Sequence, residues 1–250
     1  MTEFLQWAMV IGVGFLAGFL NTIGGGGTLF SVPILTFMGM PIIESNATAR
    51  VAILAQNFFA VGGFHSKGVK LPWPYALYLG LSALIGGVIG ARLATYTDEH
   101  IYSHIFVIVM IFSVVMILFD PFKTKGAHEK MATRNQVIGV ISFFFIGIYG
   151  GFVQAGIGFL IIAALSLANN LKLVTINYLK VFSAIVYTGA SVVVFALDGK
   201  IDWSIGLILA IGHAGGGWIA SRWSVSAGEV WIKRVMVVSI VAMAVKLWFF

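Results

Sequence analysis

Asn177-Tyr-Leu-Lys180-Val-Phe-Ser183-Ala-Ile-Val186 sets a cation inside an apolar stretch, and 130 residues upstream Asn46-Ala-Thr-Ala-Arg50-Val-Ala-Ile-Leu54 does the same. Neither stretch contains a carboxylate. A buried positive charge is costly unless it is paired, solvated or put to use. Without an internal partner, each cation points to a bound anion as its neutraliser. Two other readings stand beside that one. Either side chain could snorkel to the membrane interface, and Arg50 could meet Glu44, about 10 Å along the same helix.

The spacing of 130 recurs. Lys70 matches Lys200, Trp73 matches Trp203, Gly86-Gly87 matches Gly216-Gly217, and Arg92 matches Arg222. With Leu77/Leu207, Leu79/Leu209 and Ile89/Ile219 there are eight identities between 70–92 and 200–222. Gly26/Gly156 and Leu35/Leu165 extend the register upstream. An apolar alphabet inflates chance matches, but not those of Lys, Trp and Arg. Duplicated halves characterise secondary transporters, whose site lies at the interface between the halves.

Composition sets the class. Hydrophobic residues make up 60% of the chain and charged residues 10%, with a mean hydropathy of +1.01; soluble domains carry about a quarter charged residues. Such a chain cannot cover its surface with polar groups, so lipid is the expected solvent and the 250 residues read as one integral membrane domain. The net charge of +6 lacks the aromatic-interleaved basic cluster of a stacking platform, so no nucleic-acid partner is expected. The chain has no cysteine, which removes disulfides and zinc–thiolate sites. The N-terminal residues lack a basic n-region, so 5–20 reads as a retained membrane segment and not a signal peptide.

Ten apolar runs follow: 4–21, 28–40, 44–63, 72–95, 101–119, 136–150, 157–168, 173–197, 203–223 and 229–250. A crossing takes about 20 helical residues, so 28–40, 136–150 and 157–168 are too short. They adjoin Gly24-Gly25-Gly26-Gly27 and Gly150-Gly151 through Gly156-Ile157-Gly158. Irregular backbone at membrane depth needs protein or a cavity around it; each cluster is thus a break in a helix or the tip of a re-entrant hairpin. The longest polar loop, Asp120–Asn135, divides the chain. An odd number of crossings per half puts ten basic residues on one side and three (Arg92, Lys200, Lys246) on the other, against eight and five for an even number. The positive-inside rule favours the odd count. The expected layout is a first transmembrane repeat over 1–120, a central cytoplasmic loop over 121–135 and a second, inverted repeat over 136–250.

Inverted copies would bring Arg50 and Lys180 inward from opposite faces. Asn46, Thr48, Gln56, Asn177, Ser183 and Tyr187 could complete an anion cage, or simply bond between helices. Gly24–Gly27 runs into Thr28, and Gly156-Ile157-Gly158 into Phe159. Each junction places a helix N-terminus after bare backbone, where N–H donors and the positive dipole end suit an anion. Gln154 and Thr28 sit at these junctions. The alternative is that the glycines serve close helix packing, which is the favoured reading for Gly86-Gly87 and Gly216-Gly217. His213, mid-segment, is a candidate proton relay or a packed core residue. Every acid falls in a loop or at a segment end. No metalloprotease, nucleophile-elbow or Ser-x-x-Lys pattern appears, so an enzyme is not expected. A channel would need a ring of carbonyls or charges, and a two-fold duplication supplies a small one.

Gly14-Phe-Leu-Ala-Gly-Phe-Leu-Asn21-Thr-Ile-Gly24-Gly-Gly-Gly27-Thr-Leu-Phe-Ser-Val-Pro33 resembles the first glycine motif of the TauE/SafE family of sulfite exporters, and Asn46-Ala-Thr-Ala-Arg50 its following motif. Gly150-Gly-Phe-Val-Gln154-Ala-Gly156-Ile-Gly158 resembles the second-half counterpart. Asn177-Tyr-Leu-Lys180 falls where the family often has Thr-Ser-Lys, and departs from it at Tyr178-Leu179. The resemblance covers essentially the whole chain. It implies passage of sulfite, sulfoacetate or related organosulfonates across a bacterial cytoplasmic membrane.

The expectation is therefore an all-α membrane carrier of about ten helical segments in two inverted repeats, working by alternating access. Arg50 and Lys180 supply charge; Gly24, Gly25, Gly26, Gly27, Thr28, Gly156 and Gly158 supply backbone or junction donors; Asn46, Gln56, Gln154, Asn177 and Ser183 supply further contacts. No cofactor or metal is expected. The expected partners are a small anion and the bilayer, with pairing as a homodimer left open. A carrier of a non-sulfur anion such as a carboxylate, or an anion channel, remains the alternative.

Overall fold

A computed structural model describes residues 3–119 and 129–249, with side chains over 7–113, 115 and 129–226. The described residues form nine helices: α1 (Glu3–Ile23), α2 (Thr28–Phe37), α3 (Ile42–Ser66), α4 (Tyr75–Tyr96), α5 (Glu99–Phe119), α6 (Thr133–Phe152), α7 (Ile157–Asn169), α8 (Leu173–Leu197) and α9 (Trp203–Phe249). Four are long and apolar enough to cross a membrane: α4, α6, α8 and Trp203–Ser226 of α9. The outward rows of α4 (Leu81, Ile85, Ile89, Leu93), α5 (Val107, Ile108, Ile111) and α6 (Ile138, Ile141, Phe145) are exposed and apolar. Only lipid makes such an exterior stable. The chain is a multi-pass membrane protein. α3 inverts the pattern: Asn46, Thr48, Arg50, Gln56 and Asn57 are buried, and several of their polar groups bond to neighbouring helices.

α2 has 10 residues and α7 has 13, about 15 and 20 Å at 1.5 Å per residue, short of a ~30 Å hydrocarbon core. Both turn back on the helix before them. A Cβ on Gly27 would meet the Ala17 carbonyl and Asn21, so the chain returns alongside α1. Asn135 Nδ2 donates to Ala168 O at 2.6 Å, and Lys130 N to Asn169 O at 2.8 Å, which brings the end of α7 back to the start of α6. Between a helix break and a re-entrant tip, the two short segments are therefore hairpins.

Two differences from the sequence reading concern segment length. α6 runs from Thr133 to Phe152, longer than 136–150, because Thr133-Arg134-Asn135 and Gly151-Phe152 continue the helix at either end. The last two expected runs, 203–223 and 229–250, are joined in the single helix α9. No proline interrupts the junction. Its serines bond back along the helix instead: Ser224 Oγ to Ser221 O at 2.9 Å, Ser226 Oγ to Trp223 O at 3.1 Å.

Helix starts keep the register of 130: Thr28 and Ile157, Ile42 and Leu173, Tyr75 and Trp203, each pair within two residues of it. Glycines set the closest packing, between parallel helices from different halves. Gly14 and Gly18 of α1 abut the Leu209 and His213 backbone of α9, while Gly212 and Gly216 abut Ile11 and Phe15. On the other side, Gly86 and Gly90 of α4 abut Phe144 and Ile148 of α6, and Gly147 and Gly151 abut Ala83 and Gly87. A Cβ at any of these would overlap backbone, so the backbones approach to distances that only glycine permits.

The two ends of the bundle carry different charge. One end joins Tyr75, Lys130 and Asn169 through Tyr75 Oη to Asn169 Oδ1 at 2.8 Å and Asn169 Nδ2 to Lys130 O at 3.2 Å; Lys67, Lys70 and Lys172 lie in the adjoining connections and Arg134 at the start of α6. The other end holds the ion pairs Arg92–Asp198 at 2.9 Å and Lys200–Glu44 at 3.6 Å, and Ile43 N donates to Glu99 Oε1 at 3.0 Å. Lys123 and Lys125 of the central loop lie outside the described residues, as do the side chains of Lys233, Arg234 and Lys246.

Candidate functional site

The last four carbonyls of a helix have no intrahelical partner and carry the negative end of its dipole. At the end of α6 every one is accounted for. Tyr149 O accepts from Val153 N at 2.9 Å and Gln154 N at 3.2 Å. Arg50 Nη1 donates to Gly150 O at 2.8 Å, and Nη2 to Gly151 O at 2.8 Å and Phe152 O at 3.2 Å. Tyr102 Oη donates to Phe152 O at 2.8 Å. Asn46, one turn before Arg50, donates to Val153 O at 3.1 Å and to Tyr102 Oη. The guanidinium lies 4.9 Å from the centre of the Phe195 ring, and Arg50 is 0% exposed.

The end of α1 is treated alike. Leu20 O accepts from Gly24 N at 2.8 Å and Gly25 N at 3.3 Å. Lys180 Nζ donates to Asn21 O at 3.0 Å and Thr22 O at 2.8 Å, and Lys180 is 4% exposed. Each cation thus caps the hairpin of the opposite half. This corrects the premise that the cations lack internal partners. Their partners are main-chain carbonyls at helix ends, and neither cation takes part in an ion pair among the described residues.

The hairpin tips meet. Gly25, at φ 89°, lies backbone to backbone against Gly158, and a Cβ on either would overlap the other. The second tip turns through Gln154 at φ 63° and Gly156 at φ 68°. A non-glycine residue there is uncommon and marks a site worth notice. Gln154 Nε2 donates to Thr188 Oγ1 at 2.9 Å. Between the tips lies a cavity of about 10 Å³ lined by Gly25, Gly158, Lys180, Gln154, Tyr187 and two asparagines, Asn21 and Asn57. It holds about one water-sized sphere. Asn57 Nδ2 and Gln154 Oε1 are buried without a partner; so are Thr28 Oγ1, both amide atoms of Asn177, and Ser183 Oγ. Buried polar groups are nearly always bonded; of these, Asn57 and Gln154 line the cavity, whereas Thr28, Asn177 and Ser183 do not.

The expected residues therefore divide. Lys180, Gln154, Gly25 and Gly158 line the cavity. Asn177 and Ser183 flank Lys180 on α8, buried and unpartnered. Arg50 and Asn46 stand at the end of α6 and do not line it. Gln56 is engaged: its Nε2 donates to Thr22 Oγ1 at 3.1 Å, and its Oε1 accepts from Asn21 Nδ2 at 3.0 Å and faces His213 Nδ1 at 3.2 Å. His213 Nε2 is 2.9 Å from Ser31 Oγ, so the imidazole belongs to a network joining α1, α2, α3 and α9. At the glycine junctions, Leu29 N and Phe30 N bond back to Gly26 O and Gly27 O, and Ile157 N and Phe159 N to Gln154 O and Gly156 O. Those four donors are spent within the turns. Thr48 Oγ1 accepts from Asp202 N at 3.0 Å, away from the cavity.

Sequence reasoning missed Asn21 and Asn57. Both carried a signal: Asn21 stands three residues before the glycine tract, and Asn57 stands 130 residues before Tyr187, its neighbour across the cavity.

The model of the sulfite exporter TauE/SafE family matches residues 10–247. The chain is 26% identical over 241 residues to the probable membrane transporter protein ORF9 of Sinorhizobium sp, covering 93% of this chain and 88% of that protein. It is 27% identical over 237 residues to the probable membrane transporter protein YfcA of Escherichia coli (strain K12), covering 94% and 87%. It is 24% identical over 246 residues to a probable membrane transporter protein of Haemophilus influenzae, covering 96% and 93%. No solved structure matches the chain. Since the match runs from the first hairpin almost to the end of α9, taking in both capped helix ends, the chain belongs to the TauE/SafE sulfite exporter family.

Proposed function

We propose that this chain is a carrier that takes a small sulfur-containing anion (sulfite, sulfoacetate or another organosulfonate) across the bacterial inner membrane by alternating access. One observation carries the reading. Two re-entrant tips from different halves close on the Lys180 amine together with buried, unpartnered polar atoms of Asn57 on α3 and Gln154 in the second tip. That set offers a positive charge and neutral donors, with no carboxylate to repel an anion. The sulfur chemistry comes from the family and from its names, not from the geometry.

A one-water cavity cannot hold an anion of four or more non-hydrogen atoms, so loading requires the tips to part. They touch through Gly25 and Gly158, where no side chain interlocks, and that favours a sliding separation. The shared register of helix starts and the reciprocal capping by Arg50 and Lys180 support two inverted repeats, with the basic end as cytoplasmic. Within this reading Lys180 meets the anion, with Gln154, Asn57, Asn177 and Ser183, while Arg50 and Asn46 hold the second tip in place.

The test is ligand-dependent thermal stability across sulfite, sulfoacetate, taurine and acetate, followed by counterflow in proteoliposomes. Saturable exchange of labelled for unlabelled sulfoacetate or sulfite is expected, lost in Lys180→Met. Stabilisation by acetate alone would point to a carboxylate carrier. Conduction without counterflow would point to a channel and overturn the reading.

A further inference from the structure

Arg50 and Lys180 stand 130 residues apart and do the same capping, but their chemistry differs. A guanidinium keeps its charge in proteins; an amine can release its proton. Arg50 uses both terminal nitrogens on three carbonyls. Among the described residues Lys180 Nζ has two acceptors within hydrogen-bond reach, Asn21 O and Thr22 O. A neutral amine has two N–H groups, and these two carbonyls satisfy both. An ammonium has three, and the third finds no acceptor.

No carboxylate lines the cavity to hold that charge. The cavity around Nζ receives Asn21 from α1, Ile53 and Asn57 from α3, Gln154 from the second tip, and Ile157 and Gly158 from α7, none of them titratable. Lys180's own helix adds Ala184 and Tyr187, and the Tyr187 phenol is the one other titratable group in the lining. His213 of α9 connects only at a remove, through Gln56 and Asn21. Arg50 faces the end of α6.

Resting on the reading of this cavity as an anion site, we infer that Lys180 is also the proton site of the carrier, so that one proton enters and leaves with each anion. The balance is simple. The Nζ lone pair takes a proton from water on the loading side, the two existing N–H groups keep Asn21 O and Thr22 O, and the third N–H donates to the arriving anion. On the other side the anion and the proton depart together and the neutral amine remains on its two carbonyls. Each half of the pair stabilises the other, because the anion supplies the missing acceptor and the proton supplies the charge that desolvation of the anion demands. For a singly charged anion the loaded and empty sites then carry the same net charge; a dianion such as sulfoacetate leaves the loaded site with one negative charge. At the matching place in the first half, arginine cannot do this, which fits a guanidinium whose two terminal nitrogens are committed to three carbonyls.

The experiment is isothermal titration calorimetry of the full chain in lipid nanodiscs with sulfoacetate at pH 7.5, in Tris and in imidazole buffers. The two buffers differ in ionisation heat, so the difference in observed heat counts protons taken up. Sulfoacetate is chosen because its sulfonate and carboxylate stay ionised at that pH. Wild type is expected to take up about one proton per anion, Tyr187→Phe the same, and Lys180→Arg to bind without proton uptake. Binding by wild type with no buffer dependence overturns the inference while sparing the anion site, and needs no variant to fold. Proton uptake that persists in Lys180→Arg, or vanishes in Tyr187→Phe, overturns it too. If neither sulfoacetate nor sulfite gives any binding heat or thermal shift, the anion-site reading itself fails, and the coupling with it.

Discussion

Replacing Arg50 by methionine removes the guanidinium but keeps most of the side-chain volume. Gly150 O and Gly151 O lose the partners that Arg50 gave them, whereas Phe152 O keeps the Tyr102 hydroxyl at 2.8 Å. Two orphaned buried carbonyls cost about 1–3 kcal/mol each, and loss of a cation at a helix C-terminus adds up to about 2 kcal/mol. Relief of the desolvated charge offsets part of this. The expected destabilisation is about 2–5 kcal/mol. The comparison is Arg92→Met, which breaks an exposed pair with Asp198 and should cost about 0–1 kcal/mol. Thermal unfolding of both variants in the same detergent, followed by circular dichroism, ranks them. In parallel, Arg50→Lys should keep sulfoacetate affinity within about threefold, since residue 50 does not line the cavity, while Lys180→Met abolishes it. An Arg50→Met protein as stable as Arg92→Met would refute the capping argument. Loss of affinity in a folded Arg50→Lys would return Arg50 to direct contact with the anion.

Two further substitutions follow from the same geometry. Gly158→Ala places a Cβ against Gly25 Cα and the Gly24 carbonyl, so the tips cannot close; membrane insertion should persist while counterflow falls by at least tenfold, and wild-type exchange would disprove the contact. Gln56→Leu strips partners from Asn21, Thr22 and His213 at once; at about 1–3 kcal/mol for each buried polar group left unpaired, the variant should melt well below wild type, and an unchanged melting temperature would show that the network contributes little.

Much of this protein was legible before any coordinates. Lys180 and Arg50 stood out because a charge in an apolar run is rare whatever surrounds it, and their interval exposed the duplication. Gly24–Gly27 and Gly156–Gly158 marked the places where helices stop. Gln154 was named for its place at a junction, and its left-handed backbone bears that place out. What misled was completeness. Arg50 and Gln56 looked like free hydrogen-bonding groups because their partners lie far away in sequence, 100 residues on for Gly150 O and 157 for His213.

The sequence alone determined the solvent, the helical class, the register of 130 and the two cations, because each follows from residue type and local spacing. Tertiary structure decided what the cations touch, that the glycine tracts are tips which meet, and that α9 runs on through 223–229. The physical reason is that a main-chain carbonyl is the same at every position. A helix end that needs a cation leaves no mark in side-chain chemistry, and only the fold brings Arg50 of α3 to the end of α6 and Lys180 of α8 to the end of α1.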